Sequence, residues 1–252
     1  MSARRSAALT GLAASWLAVA ACGGSTPPPT QSAPTTAEAA GPEPDRGHHM
    51  LQTFWMAVDA RDALIDGDLE RAKTAARALA HYNYGDAFPP DWKHWVGEMQ
   101  QLADEAALAG NVDEAAQAIG ALGVTCGNCH WQQLSGPRGP RTEPEPWHDP
   151  PDEVTERMQR HQLAAEDLWA GLITPSEEAW RNGTITLTRA PIEAPQEQGD
   201  PVDPQFAERV EAIRELGQRA RTVRTHGERG QIYGQLIATC AHCHNSQRRS
   251  VP

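Results

Sequence analysis

The sequence predicts an all-α protein built as two tandem four-helix bundles. Three observations point that way. Apolar residues recur at i, i+3, i+4 spacing in one stretch after another, strand-like alternation is confined to a short run over 184–188, and the second half of the chain repeats the first. A period near 110 residues is too long for a solenoid unit and suits paired domains of four helices each.

Taken in order, residues 49–65 place Met50, Phe54, Ala57, Val58 and Leu64 on one helical stripe. Residues 68–80 bring Leu69, Ala72, Ala76 and Leu79 together, and residues 91–108 present Trp92, Trp95, Val96, Met99 and Leu102. Trp92 and Trp95 read as packing residues, against the core or a bound group. Asn111, a good N-cap, opens a fourth helix through Val112, Ala115, Ala116, Ile119 and Leu122 that runs into Cys126.

The second set is recovered by shifting the first. A shift of 108 lays Met50 on Met158, Ala57 on Ala165, Asp59 on Asp167 and Leu64-Ile65 on Leu172-Ile173. A shift of 114 lays Trp92 on Phe206, Val96 on Val210, Leu102 on Leu216, Leu122 on Leu236 and Cys126 on Cys240. The difference between the two shifts falls within 184–203, where a surface loop absorbs an insertion. Asp149-Pro150 and Asp203-Pro204 have the form of N-cap plus first-turn proline, and Thr225-x-x-Glu228 that of a capping box. The expected organisation is a leader over 1–21, a tether over 22–46, a first domain over 47–134, a Pro-rich linker over 135–151 and a second domain over 152–252.

The most informative residues are two pentads, Cys126-Gly-Asn-Cys129-His130 and Cys240-Ala-His-Cys243-His244. Two cysteines three apart are one helical turn from each other, a span that matches the two vinyl groups of a haem. The histidine that follows is delivered to the iron as proximal ligand. Two covalently bound c-type haems are the expected cofactors, held through Cys126, Cys129, Cys240 and Cys243, with His130 and His244 on the irons. Zinc held by the same cysteines and histidines is the alternative, favoured only if the chain stays in the cytosol.

Of five cysteines, one remains. Arg4 and Arg5, then an apolar run over 7–21, then Cys22 make a secretory leader too short to span a bilayer stably. Val19-Ala20-Ala21-Cys22 resembles the lipobox of bacterial lipoproteins. That resemblance implies lipidation of Cys22, cleavage before it, and an exported protein anchored on the periplasmic side of a membrane. Gly23 in place of an aspartate favours the outer membrane. The formal charge of −11 and the lack of a basic, aromatic-rich patch exclude nucleic acid as a partner and suit docking to basic redox proteins of the periplasm or membrane.

Pentad position separates classes of cytochrome. After His244 only eight residues remain, so the second haem must be enclosed by residues that precede it. Four helices ending in the pentad resemble the class II cytochromes c, the family of cytochrome c-prime and its low-spin relatives. In the low-spin members a Met on the first helix reaches the far side of the iron, which makes Met50 and Met158 the candidate distal ligands. A Met on an apolar stripe is otherwise core packing. His48, His49 and His161 are rival ligands, and an open sixth position is the third option. The resemblance implies an electron carrier when both axial sites are filled, and a nitric oxide or carbon monoxide binding protein when one is open. No Ser-His-Asp or paired-carboxylate arrangement suggests an enzyme, and a dihaem peroxidase would place its pentads early in each domain.

Overall fold

A computed structural model describes residues 45–133, 153–189 and 204–250. The leader with Cys22, the tether and the linker over 135–151 lie outside the described residues. Among the described residues there are eight α-helices: α1 Arg46–Ile65, α2 Leu69–Ala80, α3 Lys93–Leu108, α4 Val112–Gln133, α5 Glu153–Ile173, α6 Glu177–Arg189, α7 Pro204–Ala220 and α8 His226–Ser250. A single 3₁₀ turn, Pro90–Trp92, leads into α3.

Local chemistry sets the boundaries. Asp45 accepts a hydrogen bond from the His48 N–H at the start of α1, and Asp68 accepts one from the Arg71 N–H at the start of α2. At α4, the Asn111 side chain accepts from the Glu114 N–H (2.9 Å) while the Glu114 carboxylate accepts from the Gly110 N–H (2.7 Å). The capping box of α8 forms as expected, with Thr225 and Glu228 each bonding the other's backbone N–H. Pro204 occupies the first turn of α7, where its missing N–H costs nothing. The end of α1 is a Schellman turn. Gly67 at φ +75° donates to Leu64 O and Asp68 donates to Ala63 O, which satisfies two terminal carbonyls and reverses the chain into α2.

One expectation is corrected. Residues 184–188 are not a strand but part of α6. Their β-branched side chains sit in the helix because the hydroxyls of Thr184, Thr186 and Thr188 donate to carbonyls three or four residues back, at 2.8–3.0 Å. The buried set of α6, Trp180, Gly183, Thr184 and Leu187, keeps the three-to-four-residue spacing that the brief alternation masks. Of the loop expected over 184–203, residues 184–189 are helical and the remainder lies outside the described residues.

Helices α1 to α4 pack in sequence, each on the next, with α4 returning to α1; α5 to α8 do the same, with α8 returning to α5. The two sets share one continuous core. Leu64, Leu79, Ile119, Leu168, Leu172, Tyr233, Leu236 and Ile237 are among its fully buried members. The largest helix contact is between the sets, where α4 crosses α8 antiparallel. Small residues permit it: a Cβ on Gly120 would lie 2.3 Å from Gly230 O, and one on Gly234 would lie 2.9 Å from Ala116 O. The shift of 114 carries Gly120 onto Gly234 and Ala116 onto Gly230, so the two contacts exchange. The crossing therefore lies on a pseudo-two-fold axis relating the repeats.

Candidate functional site

Helix α4 runs unbroken from Val112 through the first pentad, so Cys126 and Cys129 sit one turn apart on one face with His130 beside them. That face opens into a cavity of about 760 Å³ walled by α1, α3, α4 and α5. Cys126, Cys129 and His130 line it from α4, Met50 and Phe54 from α1, Trp95 from α3, and Trp169 and Ile173 from α5. The wall explains a discrepancy with the stripe read from sequence. In α1 the core is made by Ala57, Ala60 and Leu64, whereas Met50 and Val58 are half-buried and Phe54 is 37% exposed, because they face the cavity.

The His130 imidazole is oriented by a main-chain group. Its Nδ1 lies 2.6 Å from Ile173 O, and a carbonyl can only accept, so Nδ1 carries the proton and Nε2 keeps its lone pair. Ile173 is the last residue of α5, so its carbonyl is one that the helix cannot satisfy internally. Burial lowers the His130 pKa, and the hydrogen bond to Ile173 only partly opposes this. A neutral imidazole with a fixed tautomer and a free Nε2 is the form that binds a metal. Burial also pushes the Cys126 thiol up to about 12 and the Cys129 thiol up to about 11. Both are therefore protonated thiols at neutral pH.

The second pentad sits on α8 in the matching position. Cys243 is buried, burial pushes the Cys240 thiol up to about 12, and Met158 and Cys240 both pack against the core. Burial again lowers the His244 pKa, with Asp66 opposing. His244 lies on α8 beside the end of α1, where a Cβ on Gly67 would lie 2.8 Å from the Asn245 side chain and 2.9 Å from Ala241 O. The shift of 108 lays Ile65 on Ile173. The end of α5 thus holds His130 and the end of α1 packs beside His244, a crossed relation that periodicity does not reveal. Its trace was present in the match of Leu64-Ile65 to Leu172-Ile173, which periodicity alone assigns to the core.

The rival ligands of the first site are placed elsewhere. His49 Nδ1 lies 3.0 Å from the Tyr82 hydroxyl, within an aromatic cluster with Tyr84 and Phe88. His48 is exposed beside the N-cap, and the cavity wall includes Met50 but neither histidine. In the second repeat His161 is buried, at the position of Thr53 in the first.

The cavity has features of a cofactor site. The indole Nε1 atoms of Trp95 and Trp169 are buried with no hydrogen-bond partner among the described residues, and both belong to its wall. Gly127, inside the first pentad, presses on α5 so closely that a Cβ would lie 2.1 Å from Leu172 O. Arg61, buried and bonded to Asp62, stacks 5.7 Å from the Trp169 ring at the cavity's inner end. An apolar volume of this size, two thiols one turn apart, and a free imidazole nitrogen fit a covalently attached haem. Comparison of the chain with protein-family models, curated proteins and solved structures found no match in any of the three. No helix among the described residues is long and apolar enough to cross a membrane.

Proposed function

We propose that the chain is a dihaem c-type cytochrome lipoprotein that carries electrons outside the cytoplasmic membrane, with two repeats of the class II, cytochrome c-prime-like kind. The observation that carries the reading is the convergence of Met50, Cys126, Cys129 and His130 on one apolar cavity, with His130 Nε2 left free. Among the described residues no three His, Cys, Asp or Glu side chains gather as a zinc site would need.

A haem in each site supplies one-electron chemistry at its iron. The chain's own residues do the rest. Cys126 and Cys129 provide the sulfurs for two thioether bonds, and His130 provides the proximal nitrogen. The Ile173 carbonyl fixes the imidazole tautomer and orientation, so the ligand does not rearrange between oxidation states. Phe54, Val58, Trp95 and Trp169 keep water from the cavity and lower the local dielectric. Met50 stands ready as the sixth ligand, and a thioether there raises the reduction potential. Cys240, Cys243, His244 and Met158 take the same roles in the second site. The acidic chain suits basic redox partners in the periplasm or at a membrane, reached from a lipid anchor at Cys22.

Protein matured in cells equipped for haem attachment should carry two haems by mass, with sharp low-spin optical bands. Met50→Ala should convert one of the two haems to high spin and leave the other unchanged. A broad high-spin spectrum of the parent that shifts with carbon monoxide would instead identify a gas-binding protein. A mass of bare polypeptide would overturn the haem reading.

A further inference from the structure

The pairing of the repeats has a functional consequence beyond the presence of two haems, and it rests on that reading. Helix α1 touches both centres. Near its start Met50 lines the first cavity with His130, and its end packs on α8 beside His244. Two contacts hold that terminus on α8. Arg248 donates to Asp66 O, and Gly67 is pressed against Arg248, Asn245 and Ala241, where a Cβ would lie 2.7–2.9 Å from their atoms. Helix α5 makes the reciprocal contact at its own end: Ile173 O holds His130, and Leu172 O packs on Gly127.

We propose that α1 and α5 are crossed struts, each positioning the proximal imidazole of the opposite repeat, so that the reduction potential of each haem is set by a helix end belonging to the other. The second haem, attached by Cys240 and Cys243, then answers to changes at residues 65–67, which lie before the first pentad in the chain. A helix C-terminal carbonyl carries partial negative charge and draws on the imidazole Nδ1–H, making Nε2 a stronger donor to iron. Withdrawing that carbonyl weakens the donor, favours the reduced metal and raises the potential.

Gly67→Val in the full, haem-loaded chain isolates the effect. The valine has no room against α8 and sits at a φ that β-branched residues avoid, so the end of α1 must retreat from His244. Potentiometric titration should show two waves, assigned against the full chain carrying Cys240→Ser and Cys243→Ser, which keeps only the first haem. The second-haem wave should move upward by roughly tenfold in its reduction equilibrium, about 59 mV for one electron. The first haem's wave should stay where it is. Two haems by mass with an unmoved second wave, or a shift confined to the first, would sink the crossed arrangement while leaving the dihaem assignment standing. Loss of haem from the parent chain would sink the dihaem assignment itself. If the valine variant does not accumulate, Gly67→Ala and a chain cut at a protease site inserted between 134 and 152 give a second route. The cut halves must remain together with both waves intact; halves that separate with unaltered waves would refute the proposal.

Discussion

Arg229 shows how single residues join the second set of helices. Its guanidinium is buried on α8, donates to the Glu177 carboxylate of α6 at 2.7 Å, and lies 5.1 Å from the Trp180 ring. The hydrogen bond to Arg229 holds the Glu177 carboxyl below the usual carboxylate range, with partial burial opposing it. A folded-state pKa below the unfolded one gives stability that is present above the unfolded value and is lost as pH falls through the folded one. Because the Glu177 side chain is 80% exposed, water screens the pair and the contribution is small. Glu177→Gln should lower the Tm at pH 7 by a little, and the gap to the parent chain should close as both are acidified below about pH 4. A gap that persists at low pH would mean the carboxylate's charge plays no part. The adjacent Trp180 Nε1 donates to Ala220 O, so this corner also ties α6 to α7.

At the scale of elements, the antiparallel crossing of α4 and α8 is the join on which both sites depend, since each of these helices ends in a pentad. Gly120→Val would drive a branched side chain into the Gly230 carbonyl, and overpacking at a fixed backbone contact costs about 1–3 kcal/mol or more. The variant should unfold at lower denaturant with both sites disturbed together; loss confined to the first site would show that the crossing is not shared. Outside α6, helix existence was legible in the sequence because periodicity and the internal repeat agree, and α4 and α8 start at the expected caps. The exception, α6, failed because Thr184, Thr186 and Thr188 alternate with Ile185 and Leu187. Only the structure reveals that their hydroxyls bond back onto the helix. Likewise, the i, i+4, i+8 series Met50, Phe54 and Val58 has the spacing of a core stripe. Periodicity records which residues are apolar and cannot tell a packed neighbour from an open cavity.

For the molecule as a whole, the repeat was legible but the relation between its copies was not. The shifts of 108 and 114 identify equivalent residues, such as Ile65 and Ile173, without saying whether an equivalent pair serves its own copy or the other. That depends on Gly120, Ala116, Gly230 and Gly234, small residues whose meaning comes only from the helix they approach. The candidate site followed the same division. The pentad's residue types and spacing pick out Cys126, Cys129 and His130, the match to Met158 picks out Met50, and all four line one cavity. The carbonyl partners were invisible because every residue has one.

The antiparallel crossing also works as a ruler. Cys126 lies six residues beyond Gly120 and Cys240 six beyond Gly234, in opposite directions along the paired axes. Measured from the centre of the crossing, midway between Ala116 and Gly120 or Gly230 and Gly234, each is about 12 Å away at 1.5 Å per residue, so the two cysteine positions stand roughly 24 Å apart along the paired axes. Two unit charges at that spacing repel by only about 0.7 kcal/mol at an effective dielectric of 20. On the proposed dihaem reading, an electron placed at one site would therefore do little, through space, to discourage a second from reaching the other, and the protein would hold a pair of electrons at once.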